Sequence, residues 1–106
     1  PDAVRPTVRD WATADDLWLR RVAIIAQLRA RDRTDLALLT GAIDANLEES
    51  RFGSEFFIRK AIGWALRQYA RTDAAWVLRF VAERGARLSG LSRREALKHV
   101  RGDASG

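Results

Sequence analysis

The chain has 106 residues, enough for one domain with a modest core, and 47% of them are hydrophobic, which excludes a disordered chain. It has no cysteine and one histidine, which exclude a disulfide framework and argue against a zinc centre, and no apolar run approaches the roughly 20 residues of a membrane span. The net charge of +5 comes almost entirely from arginine, which favours phosphate or nucleic acid as a partner but also follows from GC-rich coding.

Helical patterns follow one another along the chain, and no segment alternates like a strand. A short helix is predicted before residue 13, followed by helices over about 16–30, 35–49, 55–70 and 73–85 and a last short helix over 92–100. The residues predicted to cap helix N-termini are Thr34, Ser54 and Ser92, the last with Glu95 in capping-box spacing, while Thr72 and Asp73 are predicted to start the fifth helix. The sequence therefore predicts an all-α fold of five to six helices.

The chain repeats itself at a distance of 38 residues. Of the 15 positions from Arg21 to Asp35, eight are identical to those from Arg59 to Asp73. Each unit reads as a buried helix, a short turn and an amphipathic helix, which is typical of HEAT or armadillo repeats. We therefore predict an α-solenoid with repeats near 16–50 and 54–85. Because two repeats are few for a solenoid, residues 1–106 are expected to be the C-terminal part of a single HEAT-like repeat domain.

The helix predicted over 55–70 has a basic face with one aromatic residue in its middle. The residues that share this face, at i, i+4, i+7 and i+11, are Lys60, Trp64, Arg67 and Arg71. The first helices of such repeats are expected to line the concave, partner-binding side of the solenoid. The face is either a solvated surface with Trp64 lying over a neighbouring helix, or a nucleic-acid surface with arginines on phosphates. Arg29 is the repeat equivalent of Arg67, so one DNA or RNA backbone could contact both.

Arg21 and Arg59 are also repeat equivalents, and both lie among mostly apolar residues. A guanidinium in such surroundings needs a partner. The sequence leaves two alternatives open: an ion pair with a carboxylate such as Asp35 or Asp73, or a role at a phosphate or site.

The other aromatic and titratable candidates have simpler interpretations. Trp11, Trp18 and Trp76 have apolar neighbours and are predicted to lie in the core. His99 is expected to be structural or exposed, because no Ser or Cys nucleophile arrangement accompanies it. No phosphate-binding glycine loop, metal triad or paired carboxylates are visible.

Four motifs occur in order along nearly the whole chain: Trp18-Leu-Arg-Arg-x-Ala-Ile, Arg33-Thr-Asp, the stretch from Glu55 to Ala70, and Leu91-Ser-Arg-Arg-Glu-Ala-Leu-Lys-His. Together they resemble the AlkD-type DNA alkylation repair proteins. The resemblance implies a curved stack of HEAT-like repeats, in agreement with the 38-residue repeat. It also implies a DNA glycosylase that excises positively charged N3- and N7-alkylated purines from duplex DNA without flipping the base into a deep pocket.

The resemblance also implies roles for single residues. Trp64 matches an active-site tryptophan, and Arg21 matches an active-site arginine that holds the DNA backbone near the lesion. Arg29 and Arg67 match backbone-contacting positions, and Lys60 and Arg71 share the face of Arg67 and are expected to bind DNA with it.

The chain also departs from the family pattern. The family's catalytic aspartate and a second active-site tryptophan correspond to a segment before Pro1, so residues 1–106 are expected to carry part of the cleft and to be inactive alone. The rival hypothesis is a non-catalytic HEAT scaffold that binds DNA or protein. We expect no cofactor, no metal, no membrane partner, a monomer when intact, and a cytoplasmic bacterial location, at the nucleoid when acting.

Overall fold

The computed structural model describes residues 5–100, in which all regular structure is helical, as predicted. The helices are α1 (Arg5–Ala12), α2 (Leu17–Ile25), α3 (Leu36–Asp44), α4 (Phe56–Ala70), α5 (Ala74–Arg84) and α6 (Gly90–Ala96). Single 3₁₀ turns at Arg31–Arg33 and Gly85–Arg87 follow α2 and α5. No helix within 5–100 is both long and apolar enough to cross a membrane.

The helices form two layers. In the first layer α4, the longest helix, lies between α2 and α6. In the second layer α1 packs on α3, while the Arg84–Asp44 ion pair joins the end of α5 to the end of α3 and the Arg87–Glu49 pair joins the segments that follow them. Within each repeat the first helix packs on the second, α2 on α3 and α4 on α5. This is the arrangement of an α-solenoid of helical repeats, which confirms the predicted fold class.

The 38-residue repeat also holds in the core. Leu39 and Ile43 of α3 are buried, and so are their repeat equivalents Val77 and Val81 of α5. Burial of such a side chain contributes roughly 1.5–3 kcal/mol, so conserving the register conserves the main stabilising contacts. Between the layers α4 buries its apolar positions, namely Ile58, Ala61, Ile62, Ala65 and Leu66.

Equivalent aspartates begin the second helix of each repeat. The carboxylate of Asp35 accepts a hydrogen bond from Leu38 N at 3.1 Å, and that of Asp73 accepts one from Trp76 N at 3.0 Å. Asp73 thus stands at the start of α5, where the sequence predicts a helix to begin. The prediction of Thr34 is wrong, because its hydroxyl donates backward to the Arg31 carbonyl at 2.7 Å.

Two predicted caps in the second half of the chain are also wrong. Ser54 precedes the start of α4 by two residues, and Glu55 stands at the N-cap without a side-chain hydrogen bond. The N-cap of α6 is Ser89, whose hydroxyl accepts from Ser92 N at 3.0 Å. Ser92 lies inside α6, where its hydroxyl donates to the Arg59 carbonyl at 2.8 Å and joins α6 to α4. Two serines three residues apart fit the same capping pattern, and packing on α4 decides between them.

The first repeat has shorter helices than its sequence pattern predicts. Helix α2 ends at Ile25 instead of residue 30. Beyond this end the Gln27 side chain bonds the main chain of Asp35: its Oε1 accepts from Asp35 N at 2.6 Å, and its Nε2 donates to the Asp35 carbonyl at 3.1 Å. The equivalent position in the second repeat is Ala65, which offers no such bonds, and α4 continues to Ala70. Helix α3 ends at Asp44 instead of residue 49.

Candidate nucleic-acid interface

Helix α4 places the predicted basic face on its solvent side. Lys60 and Arg71 are exposed, and Trp64 is 38% exposed, so part of this indole reaches solvent. Arg67 is only half-exposed, because its Nη1 donates to Glu95 Oε1 at 3.2 Å. The four side chains therefore share one face as predicted, but the Glu95 carboxylate makes this face less basic than its sequence indicates.

The predicted backbone contact on α2 lies in a different local structure from its equivalent on α4. Arg29 is exposed but lies in the turn after α2, whereas Arg67 lies within α4. Sequence equivalence therefore does not give these two arginines the same backbone geometry.

Aromatic side chains cluster where α2 and α4 begin. The Trp18 and Phe57 rings have centroids 5.2 Å apart, and Phe56 and Phe57 are 5.4 Å apart, edge to face. Trp18 is 56% exposed, so the prediction that it lies in the core is wrong. The contact also brings the first turns of α2 and α4 side by side. Trp11 and Trp76 are partly buried against the core, as predicted.

The buried arginine of α2 is Arg20 and not Arg21. Its guanidinium is held by the Ala14 carbonyl at 2.6 Å, Asn46 Oδ1 at 3.1 Å and the Thr13 carbonyl at 3.3 Å. It also lies 4.9 Å from the Phe52 ring centroid. Arg21, its neighbour, is half-exposed and has no hydrogen bond or ion pair to another residue within 5–100. Adjacent arginines are alike in the sequence pattern, so only the packing of α2 identifies which one is structural.

The expected partners of the repeat-equivalent arginines are also corrected. Arg59 forms a two-pronged ion pair with Glu48, at 2.6 and 3.0 Å, which raises the pKa of its guanidinium. Asp35 and Asp73, the carboxylates suggested by the sequence, instead cap helices.

Glu95 of α6 is a site residue that the sequence did not indicate. Its Oε1 lies 3.2 Å from Arg67 Nη1 and its Oε2 lies 3.4 Å from Lys60 Nζ. These two cations come four residues before and three residues after Trp64, so the carboxylate sits between the positive groups that flank the indole. In the sequence, the capping-box spacing to Ser92 was a sufficient explanation of Glu95, so its contact with the basic face was not predicted.

Gly63 is the reason that Glu95 can approach α4 so closely. A Cβ atom added to Gly63 would lie 2.6 Å from the Glu95 Cβ and 3.3 Å from the Ser92 carbonyl oxygen. An isolated glycine inside a helical pattern is the sequence signal that could have predicted a close helix crossing.

Charge and burial act on Glu95 in opposite directions. Burial raises the pKa of this carboxyl, but a hydrogen bond from Lys60 and the positive charges of Lys60, Lys98 and Arg67 outweigh it and lower the pKa below its ordinary value of 4.5. The carboxylate is therefore ionised at neutral pH, and the basic face carries a fixed negative charge in its middle.

A cavity of about 180 Å³ lies where the last turn of α4 meets α5 and the end of α6. Basic side chains at its edge are Arg67, Arg71 and His99, and its other lining is small or apolar. His99 is exposed, in agreement with one of its two sequence expectations. Among residues 5–100 no three His, Asp or Glu side chains are grouped so that they could hold a metal ion.

Paired helices that repeat at 38 residues, with a basic and aromatic face on the first layer, define a solenoid protein of the helical-repeat class. The family model described as DNA alkylation repair enzyme matches residues 2–100. The chain belongs to this family, which confirms the resemblance found in the four motifs.

A solved structure supports the same conclusion. A predicted DNA alkylation repair enzyme from Enterococcus faecalis is 39% identical, with a TM-score of 0.80, over 92% of this chain and 44% of that chain. The present chain thus spans less than half the length of that protein. A search of curated proteins gave no match.

Proposed function

We propose that residues 1–106 form the C-terminal part of the DNA-binding cleft of a glycosylase that excises positively charged N3- and N7-alkylated purines from duplex DNA. The observation that carries this proposal is Trp64, an exposed indole between Lys60 and Arg67 on a chain of the DNA alkylation repair enzyme family. The arginines of the same layer would contact phosphates of the backbone on the concave side.

The chemistry suits an indole better than a strong acid. In the excision step the C1′–N bond breaks, and its electron pair neutralises the alkylated purine, which leaves as a neutral base. Water then adds to C1′ and loses a proton. Positive charge builds on the deoxyribose, where the face of Trp64 would stabilise it and Arg21 would hold the adjacent backbone.

A second candidate function is a non-catalytic scaffold that binds DNA. It is favoured by Glu95, because this carboxylate at the basic face is held by two cations and is poorly placed to stabilise a substrate cation. In the glycosylase proposal the catalytic carboxylate comes from the segment of the family that precedes the equivalent of Pro1.

The two functions are separated by an excision assay on methylated duplex DNA with the complete polypeptide that carries these repeats. A glycosylase releases alkylated purines, and Trp64→Ala should reduce the rate by about 10-fold to 100-fold, since it removes a charge-stabilising group. Arg79→Gln, which changes an exposed side chain of α5 on the second layer, should leave the rate unchanged. DNA binding without base release would support the scaffold.

Backbone contact is tested separately on the 106-residue chain. Arg67→Ala and Arg71→Gln should each weaken binding to undamaged duplex DNA and lower the slope of log affinity against log salt by about one. Arg79→Gln makes the same change of charge on the second layer and should alter the slope far less. Equal effects of Arg71→Gln and Arg79→Gln would mean that DNA does not lie along the α4 face.

A further inference from the structure

Glu95 contacts the face proposed to bind DNA, yet the proposed function gives this carboxylate no part. We propose that Glu95 is a positioning residue: it holds Lys60 and Arg67 on either side of Trp64 so that their remaining N–H groups are presented to DNA phosphates. This inference rests on the function proposed above. Two alternatives compete with it, a carboxylate that masks the cations from DNA and one that only joins α6 to α4.

The hydrogen bonds favour presentation over masking. Glu95 takes one N–H group of Arg67, through Nη1, and the other guanidinium donors make no hydrogen bond within residues 5–100. The Lys60 ammonium has three donors and stands 3.4 Å from the carboxylate, with its side chain about half exposed. A phosphate can therefore be contacted by both cations while both ion pairs remain intact.

The carboxylate itself has a fixed position. Its side chain is only 17% exposed, and its Cβ lies over Gly63 at a distance that no other residue at position 63 would permit. One turn earlier on α6, Ser92 is bonded to the Arg59 carbonyl, which fixes the height of α6 on α4. The conformational entropy of the Lys60 and Arg67 side chains is thus lost on folding, so this cost does not reduce the free energy of DNA binding.

The local charge remains attractive to DNA despite the carboxylate. Lys60, Arg67 and the nearby Lys98 supply three positive charges against the single negative charge of Glu95. The carboxylate therefore weakens the attraction to DNA but holds Lys60 and Arg67 in place. Which effect is larger decides between positioning and masking, and it can be measured.

The test is the Glu95→Gln variant of the 106-residue chain, which keeps the shape of the side chain and removes its charge. Binding to an undamaged, fluorescein-labelled duplex is followed by anisotropy over a range of salt concentrations. We expect affinity to fall roughly fivefold and the salt slope to lessen, although the variant is more positive than the original chain. In a Lys60→Gln/Arg67→Gln background, Glu95→Gln should have no further effect.

A matched control separates position from net charge. Glu83→Gln removes the same charge from an exposed side chain on α5 that pairs with Arg84, and it should leave DNA affinity equal or slightly higher. Unchanged or tighter binding by Glu95→Gln overturns the proposal, as does an equal loss in the Lys60→Gln/Arg67→Gln background. If Glu95→Gln loses helicity by circular dichroism, Glu95→Asp takes its place: a smaller loss that requires Lys60 and Arg67 supports the proposal, and no loss overturns it.

A second readout does not depend on DNA. The ¹⁵N relaxation of the Arg67 Nε–H group reports the order of this side chain in the DNA-free chain, and Glu95→Gln should make it markedly more mobile. Unchanged mobility overturns the positioning role even if DNA binds. If the unmodified chain fails to bind duplex DNA, the proposed function fails instead, and the relaxation result still decides whether Glu95 orders Arg67.

Discussion

At the scale of single residues, two glycines inside helices have opposite surroundings. Gly63 of α4 lies under α6, where an added Cβ would collide with Glu95 and Ser92, whereas Gly41 of α3 has nothing within 4 Å of such an atom. Alanine is about 1 kcal/mol better than glycine in a helix interior, so the intrinsic preference is the same at both sites. Only the neighbours across the helix interface differ.

Substitution of the two glycines should therefore change stability in opposite directions. Gly63→Ala should lower the free energy of unfolding by about 1–3 kcal/mol, because α6 must move away from α4. Gly41→Ala should raise it by about 0.5–1 kcal/mol. Urea unfolding followed by circular dichroism checks both, and a stabilised Gly63→Ala variant would contradict the close packing of Glu95 on α4.

The two arginines at the start of α2 show how a residue's role depends on its direction. Arg20 and Arg21 are adjacent and identical in type, yet Arg20 is buried and makes three hydrogen bonds, whereas Arg21 is half-exposed. The sequence could predict that a helix would place them about 100° apart. It could not predict which direction leads to Asn46, because Asn46 reaches α2 only when α3 folds back.

At the scale of elements, the two repeats share an aspartate cap at the start of their second helices. Asp35 and Asp73 occupy equivalent N-caps, and the amides that they accept from, Leu38 N and Trp76 N, are also 38 residues apart. In the first repeat the sequence predicted Thr34 as the cap, but the Thr34 hydroxyl donates backward to the Arg31 carbonyl. The Arg-Thr-Asp motif is therefore a turn with one capping residue at its end.

Removal of the Asp73 cap should destabilise the fold through a loss confined to the first turn of α5. Asp73→Ala should lower the free energy of unfolding by about 0.5–2 kcal/mol, since it leaves the first turn of α5 with an unpaired amide. Thr72→Ala, one residue earlier and exposed, should change it by less than about 0.5 kcal/mol. Thermal or urea unfolding measures the difference, and equal costs would show that Asp73 is not the cap.

At the scale of the whole molecule, carboxylates join successive elements and have lowered pKa values. The pKa of Glu49 is lowered by hydrogen bonds from the Glu49 backbone N–H and from the Arg87 side chain. Glu49 and Arg87 lie 38 positions apart, at equivalent places in the two repeats. Lys60 and Arg67 act in the same direction on Glu95 between α4 and α6. Both carboxyls therefore bind protons more readily in the unfolded chain, where their pKa is about 4.5.

Acid should consequently destabilise the fold. The contribution of these groups is complete at neutral pH and is lost as pH falls from about 4.5 through the lower folded-state pKa values. The free energy of urea unfolding should fall over that window, and Glu95→Gln should reduce the fall by no more than about 1 kcal/mol. An identical acid dependence in this variant would show that Glu95 is not a source of it.

The sequence by itself determined the helical class, the 38-residue repeat, the common face of Lys60, Trp64, Arg67 and Arg71, and the family. These follow from periodicity and ordered motifs, which are local properties of the chain. Only the tertiary structure decided that Arg20 is buried, that Trp18 is exposed, that Ser92 bonds α4, and that Glu95 lies between the cations beside Trp64. The physical reason is that each of these depends on which side chains meet across two packed helices, and residues as far apart as Arg67 and Glu95 meet only in the folded chain.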